Sequence, residues 1–235
     1  MAGALESKDM SSLTLNQKQL AAYIDHTLLR ADATAADIER LCGEAREYSF
    51  CCVCVNGSWV RFACRLLEGT NVKVASVAGF PLGAMSTAAK CFEIGNAIDD
   101  GAMEIDVVLN VGRLKQGDDD YVLKELRDIV RTADGRTVKV ILETCLLSND
   151  EKIRGCRLVV DSGAQFVKTS TGFGSGGATI EDVALMRRTV GLSFGVKAAG
   201  GIRDAKAAMA MIEAGASRIG TSAGVEIIRG LGGAD

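Results

Sequence analysis

Short apolar runs alternate along this chain with longer amphipathic stretches. Each run is too short for a helix and is rich in residues that favour extended backbone, so each predicts a strand. Eight such runs are present. They cover residues 23–25, 51–55, 72–77, 103–109, 138–142, 165–168, 194–198 and 217–219.

The stretches between the runs carry apolar positions at helical spacing, and several begin with residues that cap helices. The clearest predicted helices cover residues 34–48, 87–99, 119–132, 150–161, 180–189 and 204–213. Strands that alternate with helices form βαβ units on a parallel sheet. Eight strands in 235 residues favour a single closed (β/α)₈ barrel, the TIM-barrel fold, which typically needs about 250 residues. An open doubly wound sheet is the alternative topology.

Composition and charge limit the class of protein. No linker divides the chain, so we expect a flexible polar leader over residues 1–14 and one barrel domain over residues 15–235. The net charge of −3 provides no basic field for nucleic acid. The absence of a long apolar run or signal-peptide pattern argues against a membrane partner and predicts a cytosolic protein. The eight cysteines are then expected to be reduced thiols.

Ionisable residues interrupt several of the predicted strands. Strands of a parallel barrel are buried on both faces, so a charge inside one needs an explanation. Glu104 and Asp106 lie two positions apart and share a face, and the same parity applies to Lys139 and Glu143. We therefore expect opposite charges to meet in the barrel lumen. A compensated ionic core is the alternative to a catalytic site.

Two lysines favour the catalytic interpretation. Lys168 and Lys197 lie at the ends of their predicted strands, and the carboxyl ends of barrel strands carry the active sites of this fold. Two confined ammonium groups disfavour each other's protonation, and burial adds to that effect. One of them could be a free amine near neutral pH, which is the form that attacks an aldehyde.

Glycine-rich turns follow the last two strands. Residues 198–203 contain Gly200 and Gly201, and residues 219–223 contain Thr221 and Ser222 before the last helix. Backbone N–H groups at such turns and at helix N-termini bind anions, and these two loops form the usual phosphate site of barrels. The alternative is that the glycines only turn the chain.

Three other motifs carry less weight. Residues 172–177 match a dinucleotide fingerprint, but the next strand bears Lys197 where an acidic residue is expected, so a mobile loop over the barrel mouth fits better. Cys51 and Cys54 would point to opposite faces of a strand and cannot bind one metal ion, so we expect no metal. The sole histidine, His26, is interpreted as a hydrogen-bonded structural residue.

Several segments resemble the deoxyribose-phosphate aldolases, a family of Schiff-base (class I) aldolases. The strand around Lys168 reads FVKTSTGF, and the resemblance extends in order over residues 20–230. The other matching segments are YIDHTLL at 23–29, VCVN at 53–56, VAGFPLG at 77–83, EIDVV at 104–108 and VKAAGGIR at 196–203.

The resemblance implies a reaction and its catalytic residues. Lys168 would form the Schiff base with C1 of 2-deoxyribose 5-phosphate, and Lys197 would lower its pKa. Asp106 would work through water as general acid and base. Cleavage of C2–C3 would give glyceraldehyde 3-phosphate and acetaldehyde, with the protonated imine as electron sink and no metal or other cofactor.

The resemblance also implies binding residues. The phosphate would lie against Gly200, Gly201, Thr221 and Ser222. Asp25, Cys54 and Thr171 would lie near the sugar. Some relatives carry a basic residue where Phe173 stands and a C-terminal tyrosine, and this chain has neither, so phosphate affinity and enamine protonation are less closely implied.

Two other functions stay open. A different Schiff-base aldolase could use the same lysine on a larger ketose phosphate, and a barrel without activity could only bind a sugar phosphate. In each case the expected partner is a small sugar phosphate, and the chain could assemble into a dimer or tetramer.

Overall fold

Eight parallel strands pair in chain order and close into a barrel in the computed structural model, which describes residues 15–231. The strands are β1 (Ile24–Leu28), β2 (Cys52–Val55), β3 (Lys73–Ala78), β4 (Glu104–Val108), β5 (Thr137–Ile141), β6 (Phe166–Lys168), β7 (Gly195–Ala199) and β8 (Arg218–Thr221). Strand β8 pairs with β1 through Ile219 and Ile24. The barrel prediction is therefore confirmed, and the open-sheet alternative is wrong. The predicted leader at residues 1–14 lies outside the described residues.

Helices surround the barrel. Residues 15–231 contain α1 (Gln17–Ala21), α2 (Ala35–Tyr48), α3 (Val60–Leu66), α4 (Thr87–Asp99), α5 (Val111–Gln116), α6 (Asp119–Thr132), α7 (Asn149–Asp161), α8 (Ile180–Val190), α9 (Ala205–Glu213) and α10 (Gly224–Leu231). The bounds predicted for α4 and α6 are confirmed, whereas the short helices α1, α3 and α5 were not predicted. No helix in the described part of the chain is long and apolar enough to cross a membrane.

Capping side chains fix where the long helices begin. The Thr34 hydroxyl accepts a hydrogen bond from the backbone N–H of Asp37, and the Asp37 carboxylate accepts one from the backbone N–H of Thr34. Ser148 and Glu151 repeat this reciprocal arrangement at α7. These bonds satisfy backbone donors that a helix leaves free at its first turn. The local sequence therefore fixes where each of these helices begins. It thereby also fixes the length of the loop that joins the helix to the preceding strand at the rim of the barrel.

The interior of the barrel has an apolar side and an ionic side. The main core packs the helices against the outer faces of the strands, while a smaller cluster inside the barrel joins Cys52 and Cys54 of β2 to Ala75 and Val77 of β3. The inward faces of β4 to β8 and of β1 carry charged side chains instead. This division concentrates the buried charges on one side of the lumen.

Candidate active site

Asp106 on β4 is the centre of the buried charges. Its Oδ1 lies 2.8 Å from the Lys139 Nζ, and its Oδ2 lies 2.8 Å from the Lys168 Nζ and 2.7 Å from the Lys197 Nζ. Burial would raise the pKa of Asp106, but the three lysines outweigh it and hold the pKa well below its ordinary value. Asp106 is therefore a fixed anion that holds three ammonium groups together.

A second layer of charges lies deeper in the barrel. Asp25 on β1 lies 2.5 Å from the Lys197 Nζ and 2.8 Å from Nη1 of Arg218. Glu104 lies 2.6 Å from the Lys139 Nζ. The sequence analysis placed Glu104 and Asp106 together in the lumen, which is confirmed. It missed Arg218, because a charged residue at the first position of a short strand is usual at a solvent-exposed strand end.

The buried charges do not balance if every group is ionised. Among residues 15–231 the buried part of the network joins three carboxylates to four cationic side chains, each at most 11% exposed. A fifth cation, the half-exposed Lys73, contacts Glu104 at 3.2 Å from the solvent side, where water also compensates its charge. The carboxylates are Asp25, Glu104 and Asp106, and the cationic side chains are Lys139, Lys168, Lys197 and Arg218. An uncompensated buried charge is costly, so the group whose charge is least stabilised by its neighbours tends to become neutral.

Of the four buried cationic side chains in the network, Lys168 is the one whose pKa is lowered. Burial lowers the pKa of Lys168; Asp106 opposes this shift, and the Lys197 ammonium adds to it. For Lys197, burial also works against the charge, but Asp106 and Asp25 outweigh it and raise the pKa. One neutral amine at Lys168 leaves three cations facing three anions. The network therefore disfavours a proton on Lys168 and favours one on Lys197.

Lys168 also reaches the open end of the barrel. It is the last residue of β6 and pairs in register with Lys197, which lies in the middle of β7. A cavity of about 400 Å³ opens at this end, and of the network residues in the described chain only Lys168 lines it. A molecule in the cavity would meet the Lys168 amine first, with the other charges beneath it.

The structure brings most of the expected binding residues to this cavity. Thr171, Gly200, Gly201, Thr221 and Ser222 all line it. They come from the ends of three neighbouring strands, so the cavity lining combines backbone turns with three residues that carry hydroxyl groups. These residues therefore form the polar wall that a small anionic substrate would meet.

Asp25 and Cys54 lie below the cavity and do not line it. Asp25 is fully buried in the ionic network. Cys54 belongs to the apolar cluster inside the barrel, and burial raises the pKa of its thiol to about 11. Cys54 is thus a neutral core thiol, the commoner outcome for a buried cysteine, and any influence of these two residues on a ligand passes through their neighbours.

The expected phosphate end of the cavity has the anticipated backbone geometry. Gly200 and Gly201 adopt φ values of 91° and 82°, which favour glycine over residues that carry a Cβ. The Thr221 hydroxyl donates to the Ile202 carbonyl at 2.7 Å and accepts from the Ala223 N–H at 2.9 Å. The bond to Ile202 joins the two loops just before α10 begins, and residues of both turns line the same cavity.

Two arginines at the cavity were not predicted as binding residues. Arg30 follows β1 and Arg203 follows Gly201, and both line the cavity. Arg30 also pairs with Asp32 at 2.8 Å. Arg203 stands in the VKAAGGIR segment, so a cation next to an anion-binding turn was a signal that the sequence already offered.

Glu143 is not where the sequence analysis expected it. A strand running to residue 143 would put Glu143 in the lumen with Lys139, but β5 ends at Ile141. Glu143 adopts φ 55° and ψ 65°, a left-handed conformation that costs a residue other than glycine about 1 kcal/mol or more. Its carboxylate accepts hydrogen bonds from the N–H and the hydroxyl of Thr171. The prediction was wrong because β5 ends two residues before Glu143, so the strand alternation that would give Glu143 and Lys139 one face does not extend to it.

The glycine-rich loop at residues 172–177 contributes Gly172 and Phe173 to the lining of the cavity. Gly177 lies so close to Gly200 that a Cβ at Gly177 would lie 2.3 Å from the Gly200 carbonyl oxygen, and the Ala178 N–H donates to that oxygen at 3.0 Å. Phe173 is 56% exposed and meets the Phe80 ring edge-on at 5.2 Å. The loop thus lies at the barrel mouth as expected, while its mobility stays a prediction.

His26 points away from the charge network. Its Nε2 lies 2.7 Å from a Glu44 carboxylate oxygen on α2, and its ring packs against Phe50 at 5.0 Å. A histidine held between a strand and a helix has the structural role that the sequence analysis assigned to it, and the hydrogen bond is confirmed.

One buried group has the donor types of a metal site. Donor atoms of Asp25, Cys52 and Glu104 lie within 4.8 Å of one another. Both carboxylates already face cations, since Arg218 contacts Asp25 at 2.8 Å and Glu104 at 3.5 Å. The cationic side chains supply the positive charge that a divalent ion would bring, so the group fits an ion-pair network better than a metal centre.

Sequence comparisons place the chain among known aldolases. The family model described as DeoC/LacD family aldolase matches residues 19–230. A deoxyribose-phosphate aldolase of a Geobacillus species is 58% identical over 91% of this chain and 96% of that protein. One from Alkaliphilus oremlandii is 60% identical over 89% of this chain and 95% of that protein.

The solved structure of a related aldolase has the same fold as this chain. The deoxyribose phosphate aldolase of Aeropyrum pernix, described as tetrameric, is 34% identical, has a TM-score of 0.88 and matches over 93% of each chain. A closed (β/α)₈ barrel whose cavity is lined by a strand-end lysine has the architecture of a barrel enzyme, with its candidate site at the carboxyl ends of the strands. The family match then identifies the chain more closely. It belongs to the DeoC/LacD family of aldolases and is a carbon–carbon lyase.

Proposed function

We propose that this aldolase cleaves 2-deoxy-D-ribose 5-phosphate reversibly to D-glyceraldehyde 3-phosphate and acetaldehyde through a Schiff base on Lys168. The observation that carries the proposal is the Lys168 amine at the cavity floor, in a network whose buried cations outnumber its buried carboxylates by one. The relatives named deoxyribose-phosphate aldolase, at 58% and 60% identity, support the substrate.

The free amine of Lys168 begins the reaction. It attacks C1 of the open-chain aldehyde, and water leaves to give a protonated imine. The C2–C3 electron pair moves into this imine as the C3 hydroxyl loses its proton, which releases glyceraldehyde 3-phosphate and leaves an enamine. Protonation of the enamine at C2 and hydrolysis of the imine then release acetaldehyde and restore the lysine.

Asp106 and Lys197 serve this sequence in different ways. The low pKa of Asp106 makes its carboxylate a weak base, so it is better suited to orient a water that carries protons than to store one. Lys197 keeps its proton because its pKa is raised. It therefore acts mainly by electrostatic repulsion of a proton on Lys168, and it holds Asp106 in place.

The phosphate would lie against the turns that contain Gly200, Gly201, Thr221 and Ser222. Their backbone N–H groups and the start of α10 provide donors and the positive end of a helix. Asp25 and Cys54 support the site from below the cavity, and Thr171 would contact the sugar.

Ser222→Glu should selectively impair the phosphorylated sugar. A carboxylate among the anion-binding donors should raise the KM for 2-deoxyribose 5-phosphate by about tenfold to a hundredfold through like-charge repulsion. The much slower cleavage of unphosphorylated deoxyribose should change little. Steady-state kinetics with both sugars measures this difference.

Ser175→Glu is the matched control, because Ser175 is an exposed serine at the same rim but does not line the cavity. Wild-type enzyme that handles both sugars with equal kcat/KM would contradict the phosphate assignment.

Borohydride trapping tests the proposed chemistry directly. Reduction during turnover should attach the sugar or its two-carbon fragment to Lys168, and mass analysis of peptides locates the adduct. Labelling should be the same with saturating EDTA, because the imine supplies the electron sink that a metal would otherwise provide. An adduct on another lysine, or EDTA loss restored by a divalent ion, would refute the mechanism.

Product analysis separates this proposal from the two other functions. A related aldolase for a ketose phosphate would release a ketone-bearing fragment in place of acetaldehyde, and a binding protein would release nothing.

We further propose a cytosolic location and assembly into a dimer or tetramer, as the tetrameric Aeropyrum pernix relative suggests. Light scattering of the purified chain measures that assembly.

A further inference from the structure

Glu143 combines an unusual backbone with a buried charge. Three residues other than glycine in the described chain have positive φ. Ser49 directly follows α2, and Asp134 lies two residues beyond α6, so both are at helix C-termini, where this conformation is common. Glu143 instead lies beside the barrel mouth and is 5% exposed. Strained residues persist where the surrounding structure holds them, and they cluster at functional sites.

The Glu143 carboxylate is held mainly by one residue. The Thr171 N–H donates to its Oε1 at 3.3 Å, and the Thr171 hydroxyl donates to its Oε2. No lysine or arginine within residues 15–231 forms an ion pair with it. Burying a carboxylate without a cation is costly, and a neutral side chain could brace a loop at lower cost. The charge therefore calls for a role beyond bracing.

The contact with Glu143 decides what Thr171 presents to the cavity. The Thr171 hydroxyl proton points to Glu143, and one lone pair of its oxygen accepts the Phe173 N–H at 3.0 Å. A hydroxyl has one proton and two lone pairs, so the remaining lone pair is available to the cavity that Thr171 lines. Thr171 is thus fixed as a hydrogen-bond acceptor, suited to a hydroxyl group of a sugar.

We propose that Glu143 is a positioning residue for the aldol reaction: its carboxylate orients the Thr171 hydroxyl as an acceptor for a substrate hydroxyl and holds the cavity wall that continues into Phe173. This inference rests on the proposed function, since it needs a hydroxylated substrate above Lys168. It assigns a specificity role to a residue outside the charge network.

A double-mutant cycle tests the proposal. Glu143→Gln and Thr171→Val should each lower kcat/KM for 2-deoxyribose 5-phosphate by about tenfold, mainly through KM, the effect expected from losing one hydrogen bond to a charged group. The double variant should be no worse than the poorer single variant, because both changes remove the same interaction. Cys145→Ser, which alters the exposed neighbour of Glu143, is the control and should retain wild-type kinetics.

Two further measurements separate positioning from folding. Loss of folded protein lowers the fraction of sites that borohydride labels and leaves KM unchanged, whereas lost positioning raises KM at full labelling. Glu143→Gly relieves the left-handed backbone, so it should fold well and still show the raised KM. The acidic limb of the pH profile should stay at the wild-type position, because Glu143 does not contact Lys168 or Asp106.

The outcomes also separate this inference from the proposed function. Wild-type enzyme that fails to label at Lys168 would refute the proposed function itself. If the wild-type enzyme is labelled normally, two results would overturn only the role of Glu143. One is an unchanged KM in Glu143→Gln, and the other is a double variant in which the effects of the two single changes multiply.

Discussion

Lys168→Met should lower kcat/KM by about 10⁴-fold or more, as losses of covalent catalytic groups do in other enzymes. Methionine has a similar length but offers no amine, so neither the imine nor the enamine can form. The borohydride adduct should disappear with the activity. Steady-state assays and mass analysis of the reduced protein measure both effects.

The same variant should fold normally, which tests the charge count. If Lys168 is the neutral member of the network, its replacement by an uncharged side chain leaves three cations with three carboxylates. The thermal midpoint should then stay within a few degrees of wild type, about the shift that 1 kcal/mol causes in a protein of this size. A large loss of stability would show that the Lys168 ammonium is an essential counter-ion. Lys206→Met, at an exposed lysine of α9, is the control for activity.

Lys197→Leu should move the acidic limb of the kcat/KM profile to higher pH. The wild-type pKa of Lys168 is lowered by burial and by the Lys197 ammonium, so removing that ammonium raises it and lowers the free-amine fraction at neutral pH. Each pKa unit costs about tenfold in that fraction while the amine is mainly protonated. Activity should fall by about tenfold to a hundredfold near pH 7 and recover in part in alkaline buffer. The pH dependence of kcat/KM measures the shift.

This substitution should also reduce stability. It leaves Asp25 and Asp106 without a cation that lies 2.5 and 2.7 Å away, and breaking such a buried pair typically costs about 3–5 kcal/mol. Kinetics must therefore be normalised to the sites that borohydride labels. Lys197→Arg retains the charge and should keep the limb near its wild-type position. If the acidic limb of the kcat/KM profile does not move in Lys197→Leu, Lys197 does not lower the pKa of Lys168. A borohydride adduct on Lys197 in the wild-type enzyme would mean that the two lysines exchange roles.

The sequence by itself determined the barrel and the position of Lys168 at the end of a strand. Strand and helix periodicity and helix caps depend on residues within a few positions of one another, so the eight strands and the bounds of α4 and α6 could be predicted. Charges at strand positions that should be apolar identified Asp106, Lys168 and Lys197 by the cost of burying them.

The tertiary structure alone decided the depth and the partners of these groups. Whether Asp25 and Cys54 reach the cavity depends on the stagger between neighbouring strands, which no single strand encodes. Arg218 joins Asp25 and Glu104 across separations of 193 and 114 residues, and such distant pairs leave no local pattern. Glu143 lies outside the lumen because β5 ends at Ile141, where the chain adopts a left-handed turn to bring its carboxylate to Thr171. A local pattern can specify which residues form a strand, but the closing of the barrel fixes where that strand ends and which charges meet inside it.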